Sequence, residues 1–210
     1  MVAEIVADNG MPVKGVFDDN TAKKLWNGLL PICGGIKAAQ SNKQVFSELN
    51  EPLIITVGNN VIRAEIAQLL DIAYGTAIHR SAIISPSASI GVGTVVLHGA
   101  IVQADAIVGR HVLVNTGASI DHDNVIGDYA HISPQAALCG HVTVGAGTHI
   151  GAGAVVIPKI KIGKWCIIGA GAVVIRDIPD FSMVVGNPAK ILVEKTNDYR
   201  SQHPFYQPEQ

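Results

Sequence analysis

The chain has 210 residues, with 15 Lys and Arg against 17 Asp and Glu for a net charge of −2. Hydrophobic residues make up 48%, yet aromatics only 5% and charged residues 15%, against about 25% charged in an average protein. The balanced charge, with no basic run, argues against nucleic-acid binding, which needs clustered Lys and Arg. No stretch of about 18 apolar residues offers a membrane span.

In chain order, the opening MVAEIVADNGMPVKG carries acids and no long apolar core, unlike a signal peptide. Val2 to Asp8 reads as the end of a helix closed by Asn9-Gly10. Val13 to Phe17 reads as a short strand running into Asp18-Asp19-Asn20. Gly28, Pro31, Gly34 and Gly35 mark the next stretch as loop. Leu53 to Val57 is a buried strand by length and β-branching. Gly58-Asn59-Asn60 then turns into a helix from about Val61 to Ala73, with Ile62, Ile66, Leu69, Leu70 and Ala73 as its apolar stripe. Strand, tight turn and helix make half of a Rossmann-like α/β unit. Tyr74 to Ala82, including His79, reads as the connection between this unit and the remainder of the chain.

From Ile83 to Ile178 the chain repeats every six residues through sixteen hexads, and the second position is aliphatic in every one, from Ile84 and Ile90 to Ile168 and Val174. Neither an α-helix nor an alternating strand has period six. The period predicts a β-helix in which each hexad is one short strand and one corner. Three hexads make a triangular coil, so residues eighteen apart stack. Position six is mostly small, as at Ala100, Ala118, Ala136 and Ala154, where the chain turns a tight corner. After Ile178 come SMVVGNPAKIL and a polar tail from about Val193, with His203-Pro204 and Gln207-Pro208, expected to fray. The expected division is an α/β domain over 1–76, a β-helix over 77–178 and a C-terminal extension over 179–210. Cys33, Cys139 and Cys166 have no paired spacing, which fits a reducing, cytoplasmic setting.

The run VNTGASIDHDNVIGDYAHISPQAALCG, then VTVGAGTHIGAGAVVIPKIKIGKWCIIGAGAVVIRDIP and VVGNPAK, resembles the hexapeptide-repeat acyltransferases. More narrowly it is similar to the sugar acetyltransferases that include the sialic acid O-acetyltransferase group and the nucleotide-amino-sugar N-acetyltransferases. In the front part, GVFDD, GGI and VGNNVIR resemble that family's small nucleotide-sugar-binding domain. The resemblance implies a mainly β protein whose parallel β-helix is left-handed. It also implies a homotrimer with acetyl-CoA as co-substrate, lying in grooves between neighbouring β-helices, and no metal. Flat apolar sides on a triangular prism offer surface to bury against copies of itself. Family members open with a strand and a Gly-rich loop that lie before the helix seen here at the N-terminus. The N-terminal Rossmann-like domain is therefore expected to lack that strand and loop.

His122-Asp123 is the centre of the expected chemistry. The resemblance implies His122 as general base, followed by an acid that orients it. An imidazole of pKa near 6.5 takes a proton at physiological pH, and a neighbouring carboxylate fixes its tautomer. Asp123 is one methylene shorter than the Glu associated with the closest N-acetyltransferases, and Asp121 is an alternative orienter. A solvated corner residue is the bland reading of His122. Gly140, eighteen on, should lie over His122, where a glycine admits a thioester and its N–H can hold an oxyanion; a corner needing positive φ explains it equally. The resemblance implies acetyl-CoA contacts for His131, Ala152 and Ala170. Asn115 is a candidate for holding the acceptor near His122. His131 and His149 should stack, as a surface pair or, less readily, as metal ligands. Asp18, Asp19, Gly58 and Asn59 end the two visible strands and match the family's nucleotide-sugar residues, though turn chemistry also explains them. Lys159, Lys161, Lys164, Arg176 and Lys190 gather toward the last coils, as a phosphate-binding or merely solvated basic edge. His98 and His141 are read as surface residues.

The expected activity is transfer of acetyl from acetyl-CoA to the amino group of a nucleotide-linked amino-deoxy sugar, by direct attack with no acyl-enzyme. Acetylation of a sugar hydroxyl, or a non-catalytic β-helix serving in binding or assembly, are the alternatives.

Overall fold

A computed structural model describes residues 2–20, 22–41, 52–70 and 72–194. The fifteen hexads from Ile83 to Ala172 each place a two-residue strand at the first two positions and a turn at the fourth and fifth. Up to Val155–Val156 each strand pairs in parallel with the one eighteen residues on, as Leu113 with His131, Ser119 with Ala137 and Val125 with Thr143; at the last coil the spacing falls to sixteen, with Ile167–Ile168 on Met183–Val184 and Ile162 on Ile178. The strands stack into three sheets, and the chain is a left-handed parallel β-helix. The register begins one hexad before the visible repeat, with Ala77–Ile78 pairing onto Val95–Val96. The stretch read as a connection is thus already the first coil, and His79 in it stacks on His98 at 3.7 Å.

The position-two aliphatics from Val96 to Val174 are each at most 2% exposed and form one continuous core. Ile84 and Ile90, in the first coil with no layer before them, are only half-buried. From Thr94 to Ile178 position six is buried as well. Where it is polar, the side chain braces two coils: Asn124 Nδ2 donates to Asp121 O at 2.8 Å, and its Oδ1 accepts from Val142 N–H at 2.7 Å. Position five is left-handed through most of the repeat, so Asp105, Asp123, His141 and Lys159 stack at one corner with φ of 59°, 57°, 60° and 68°. Asp and His are among the residues that tolerate this region best without glycine.

In front of the β-helix stands a small α/β unit. Helix α1 (Val2–Asp8) ends at Gly10, with φ of 77°. The expected strand at Val13 to Phe17 shortens to β1 (Val16–Phe17). The stretch read as loop is ordered. It holds β2 (Leu25–Trp26), β3 (Leu30–Gly34) and α2 (Ile36–Ser41). Its turn is Asn27-Gly28, both at positive φ, a hairpin signal present in the sequence. β3 pairs parallel with β1 and antiparallel with β2.

Leu53 to Val57 is not a ladder strand among the described residues; only Leu53 bridges, to Tyr74. The run is apolar because it straps two clusters. Ile54 packs with Ile5, Val95 and Leu97, while Leu53, Ile55 and Val57 pack with Ile66 and Leu70. Helix α3 (Asn60–Leu70) buries Ile66 and Leu70 of the expected stripe, but the buried face is shifted away from Ile62 and Leu69. Ile62 and Leu69 are 44% and 43% exposed, while Asn60, Arg63, Ala64 and Ala67 face inward. The reason is Arg63, which is fully buried and donates to the carbonyls of His111 at 2.8 Å and Tyr129 at 2.7 Å. The helix rotates to spend that guanidinium on β-helix carbonyls.

At the far end β4 (Ser182–Val185) extends one sheet in parallel, and β5 (Lys190–Glu194) folds back antiparallel on it. Much of the expected extension is therefore sheet, and the expected frayed tail lies beyond the described residues. Among those residues no helix is long and apolar enough to cross a membrane.

Candidate active site

His122 and Asp123 occupy positions four and five of one hexad, on a corner whose backbone is locked at both levels. Asp123 N–H donates to Ala104 O, and His141 N–H donates to His122 O, each at 3.0 Å. Asn124 ties the same corner to the next coil. From this frame His122 Nδ1 meets Asp123 Oδ2 at 2.7 Å. Asp123 therefore reaches the imidazole despite its short side chain, and Asp121 instead accepts the His122 backbone N–H at 2.8 Å. The bond to Asp123 first, and the nearby charge of Asp121, raise the His122 pKa above its usual value. The same bond lowers Asp123. Both side chains are open to solvent, 51% and 44% exposed, so a partner can reach the imidazole.

Gly140 lies over His122 as the eighteen-residue stack requires. A Cβ there would fall 2.6 Å from His122 Cε1 and Nε2. Gly140 does not have a positive φ, so backbone conformation is not what calls for glycine; the imidazole resting on it is. Its N–H donates no hydrogen bond among the described residues.

One residue at this corner escaped the sequence reading. His141, taken as a surface residue, sits eighteen after Asp123 and brings Nε2 to 3.7 Å from Asp123 Oδ2. Its ring stands edge-on to His122 at 5.2 Å. The count that sets Gly140 over His122 also sets His141 over Asp123, but not the contact of their side chains.

The other predicted residues fall into separate groups. Ala152 and Ala170 are exposed and stacked on a different corner from His122, bonded through Gly171 N–H to Ala152 O at 2.8 Å. Asn115 Nδ2 lies 3.2 Å from His131 Nε2; within one chain it belongs with His131 rather than His122. His131 and His149 stack at 4.7 Å with planes 6° apart. His149 Nε2 is taken by Ser133 Oγ at 2.8 Å, so the two rings do not converge on an ion. Burial, then His149 and Arg63, push the His131 pKa down to about 4. The Gly58 backbone opposes that shift from nearby, yet Nδ1 is buried without a hydrogen-bond partner.

Phe17 and Val57 share a core, which brings Asp18-Asp19 and Gly58-Asn59 to neighbouring chain ends. Asp19 Oδ1 accepts from Ile36 N–H at 2.9 Å, at the start of α2. Asn59 Oδ1 accepts from Val61 and Ile62 N–H at 3.0 and 3.1 Å, the N-cap of α3. Asp18 Oδ1 accepts from Asn20 N–H at 2.8 Å. Turn and cap chemistry therefore uses part of each of these side chains. Lys159, Lys161 and Lys164 are exposed on the late coils.

Comparison with known proteins agrees with this architecture. The bacterial transferase hexapeptide model (six repeats) matches residues 123–158 and 141–176. An uncharacterized protein, L142, of Acanthamoeba polyphaga mimivirus is 36% identical over 93 residues; the match spans 43% of this chain but only 17% of that protein. The acetyltransferase domain of PglB from Neisseria gonorrhoeae, solved with acetyl coenzyme A, superposes with a TM-score of 0.83 at 38% identity, covering 91% of this chain and 92% of that one. A histidine-to-asparagine form of perosamine N-acetyltransferase from Caulobacter crescentus, solved with CoA and GDP-perosamine, gives a TM-score of 0.83 at 33% identity, covering 92% and 91%. With its sixteen unbroken hexads, its histidine corner and near-complete overlap with these two proteins, the chain belongs to the hexapeptide-repeat sugar acetyltransferases.

Proposed function

We propose that this protein transfers acetyl from acetyl-CoA to the amino group of a nucleotide-linked amino-deoxy sugar. The observation that carries the reading is the 2.7 Å bond from His122 Nδ1 to Asp123 Oδ2. It puts the proton on Nδ1 and leaves the Nε2 lone pair, lying over Gly140, to take a proton from the acceptor. The acceptor nitrogen attacks the thioester carbon, its proton passes to His122, and the coenzyme thiolate leaves. The Gly140 N–H, which has no protein acceptor among the described residues, is assigned to hold the oxyanion formed on the way. The PglB domain solved with acetyl coenzyme A, and the perosamine N-acetyltransferase solved with CoA and GDP-perosamine, support both substrate classes. His131, Ala152 and Ala170 are assigned to the coenzyme. Asp18, Asp19, Gly58, Asn59 and Asn115 are assigned to the acceptor, the first four within an acceptor-binding unit over 1–76. A reducing, cytoplasmic setting fits the three free thiols.

The working unit is a homotrimer. His122 and Gly140 occupy one corner of the prism and Ala152 and Ala170 another, so a coenzyme that meets both sets lies between two copies. Exposed Ile107 and Val125, stacked on one face, supply apolar surface for the contact.

Products formed from acetyl-CoA and a panel of nucleotide-linked amino sugars, read by mass spectrometry, test the activity. His122→Ala should lower turnover by about 10²–10⁴-fold; retention of the wild-type rate within a few-fold would remove His122 from the reaction. Co-assembly of His122→Ala with Ala170→Trp chains, each inactive alone, should restore about a quarter of wild-type activity, because about one interface in four pairs the two intact halves. No recovery in mixed trimers would place the site within one chain.

A further inference from the structure

The His122 corner holds a second kind of chemistry. His122, Asp123 and His141 each present one metal-binding atom, and these atoms lie within 4.8 Å of one another. Two of the separations are 2.7 Å, from His122 Nδ1 to Asp123 Oδ2, and 3.7 Å, from Asp123 Oδ2 to His141 Nε2. Ligand atoms held about 2.0–2.1 Å from a tetrahedral zinc stand roughly 3.3 Å apart. The observed spacings straddle that value. All three side chains are about half exposed, so small rotations close the difference at little cost. The backbone beneath them is fixed by the coil-to-coil bonds at His122 and Asp123. Two imidazoles and one carboxylate are a zinc donor set that leaves a fourth position for water.

We infer that His122, Asp123 and His141 form a binding site for a zinc-class transition-metal dication, and that occupancy switches acetyl transfer off. The inference rests on His122 being the general base. In the working state the proton is on Nδ1 and the lone pair on Nε2. A metal on Nδ1 needs that lone pair, so the proton moves to Nε2. The imidazole stays neutral and no net proton is released from it. The nitrogen facing the acceptor then carries a hydrogen and can no longer accept one. The metal also takes the carboxylate that orients the ring. His141 contributes nothing to proton transfer in this scheme; it supplies the third ligand and makes the corner a chelate.

Zinc chloride titrated into the full chain, followed by calorimetry and by acetyl-transfer rate, tests this. One equivalent should bind per chain, activity should fall with the same midpoint, and EDTA should restore it. His141→Asn should weaken zinc binding and raise the inhibition midpoint by at least about tenfold, each read against its own metal-free rate. Cobalt(II) should show the intense visible bands of a low-coordinate site in the wild type and lose them in the variant. No zinc binding at up to about 100-fold excess over protein, or an unchanged midpoint in His141→Asn, would overturn the site. The two readings fail separately. Tight, His141-dependent binding by a protein that acetylates no sugar keeps the metal site and removes the enzyme. Zinc-insensitive acetylation does the reverse.

Discussion

At the scale of single residues, the imidazole of His122 is shaped by what lies on each side of it. Asp123 grips one nitrogen, and the bare face of Gly140 accommodates the rest of the ring. Because Gly140 has an ordinary backbone conformation, an alanine there costs little in folding. Its methyl group would meet only the far end of an exposed side chain. Gly140→Ala should therefore change stability by less than about 1 kcal/mol, while lowering kcat/KM by about 10²-fold as the base leaves its place. Parallel melting curves and steady-state rates check this. A variant that loses both, or neither, contradicts the assigned contact. The pair was legible from the count of eighteen alone. The partnership of Asp123 with His141 obeys the same count, but it took side-chain positions to show that the two meet at 3.7 Å.

At the scale of elements, the His122 corner is only as firm as the coil that carries it. Most position-six residues are small and apolar and simply fill the corner. Asn124 is different, since it donates within its own corner and accepts from Val142 N–H on the next coil. Asn124→Ala would leave that buried N–H without a partner, costing about 1–3 kcal/mol. It would also loosen the backbone immediately after His122 and Asp123. Denaturant midpoints give the first effect, and a loss of turnover beyond that expected from unfolding gives the second. The strands themselves were readable in advance because an aliphatic residue recurring every six positions fits only a β-helix. Helix α3 was not. Of its apolar stripe Ile66 and Leu70 are buried, but the acceptors available to Arg63 turned the helix so that Ile62 and Leu69 face outward.

At the scale of the molecule, the α/β unit is joined to the β-helix through the buried Arg63 guanidinium, with half-buried imidazoles of the β-helix nearby. Arg63 donates to carbonyls on both sides of that junction, and Asn60 Nδ2 reaches Gly147 O at 3.0 Å. His131, with His149 stacked on it and Arg63 nearby, is held by burial at a pKa of about 4, and burial and Arg63 also lower His149. The unfolded chain binds a proton at His131 near the ordinary pKa of about 6.5 while the folded chain does not, so stability is full above that value and declines as pH falls toward about 4. Melting temperature should fall across that window, and His131→Asn should make the fall shallower. An identical slope in the variant would mean that His131 is not the group responsible.

The unbroken six-residue period determined, without coordinates, the β-helix, its core, and every neighbour eighteen residues apart. In a solenoid spatial proximity is a function of sequence separation, so counting is enough. Only the tertiary structure decided what the period does not reach. It showed that the Leu53–Val57 run straps two clusters instead of pairing in a sheet, that Arg63 is the buried joint between the two parts, and that a second histidine closes on the Asp123 carboxylate. Those outcomes rest on non-repeating contacts and side-chain rotations, where many arrangements satisfy the same local pattern and long-range packing selects one.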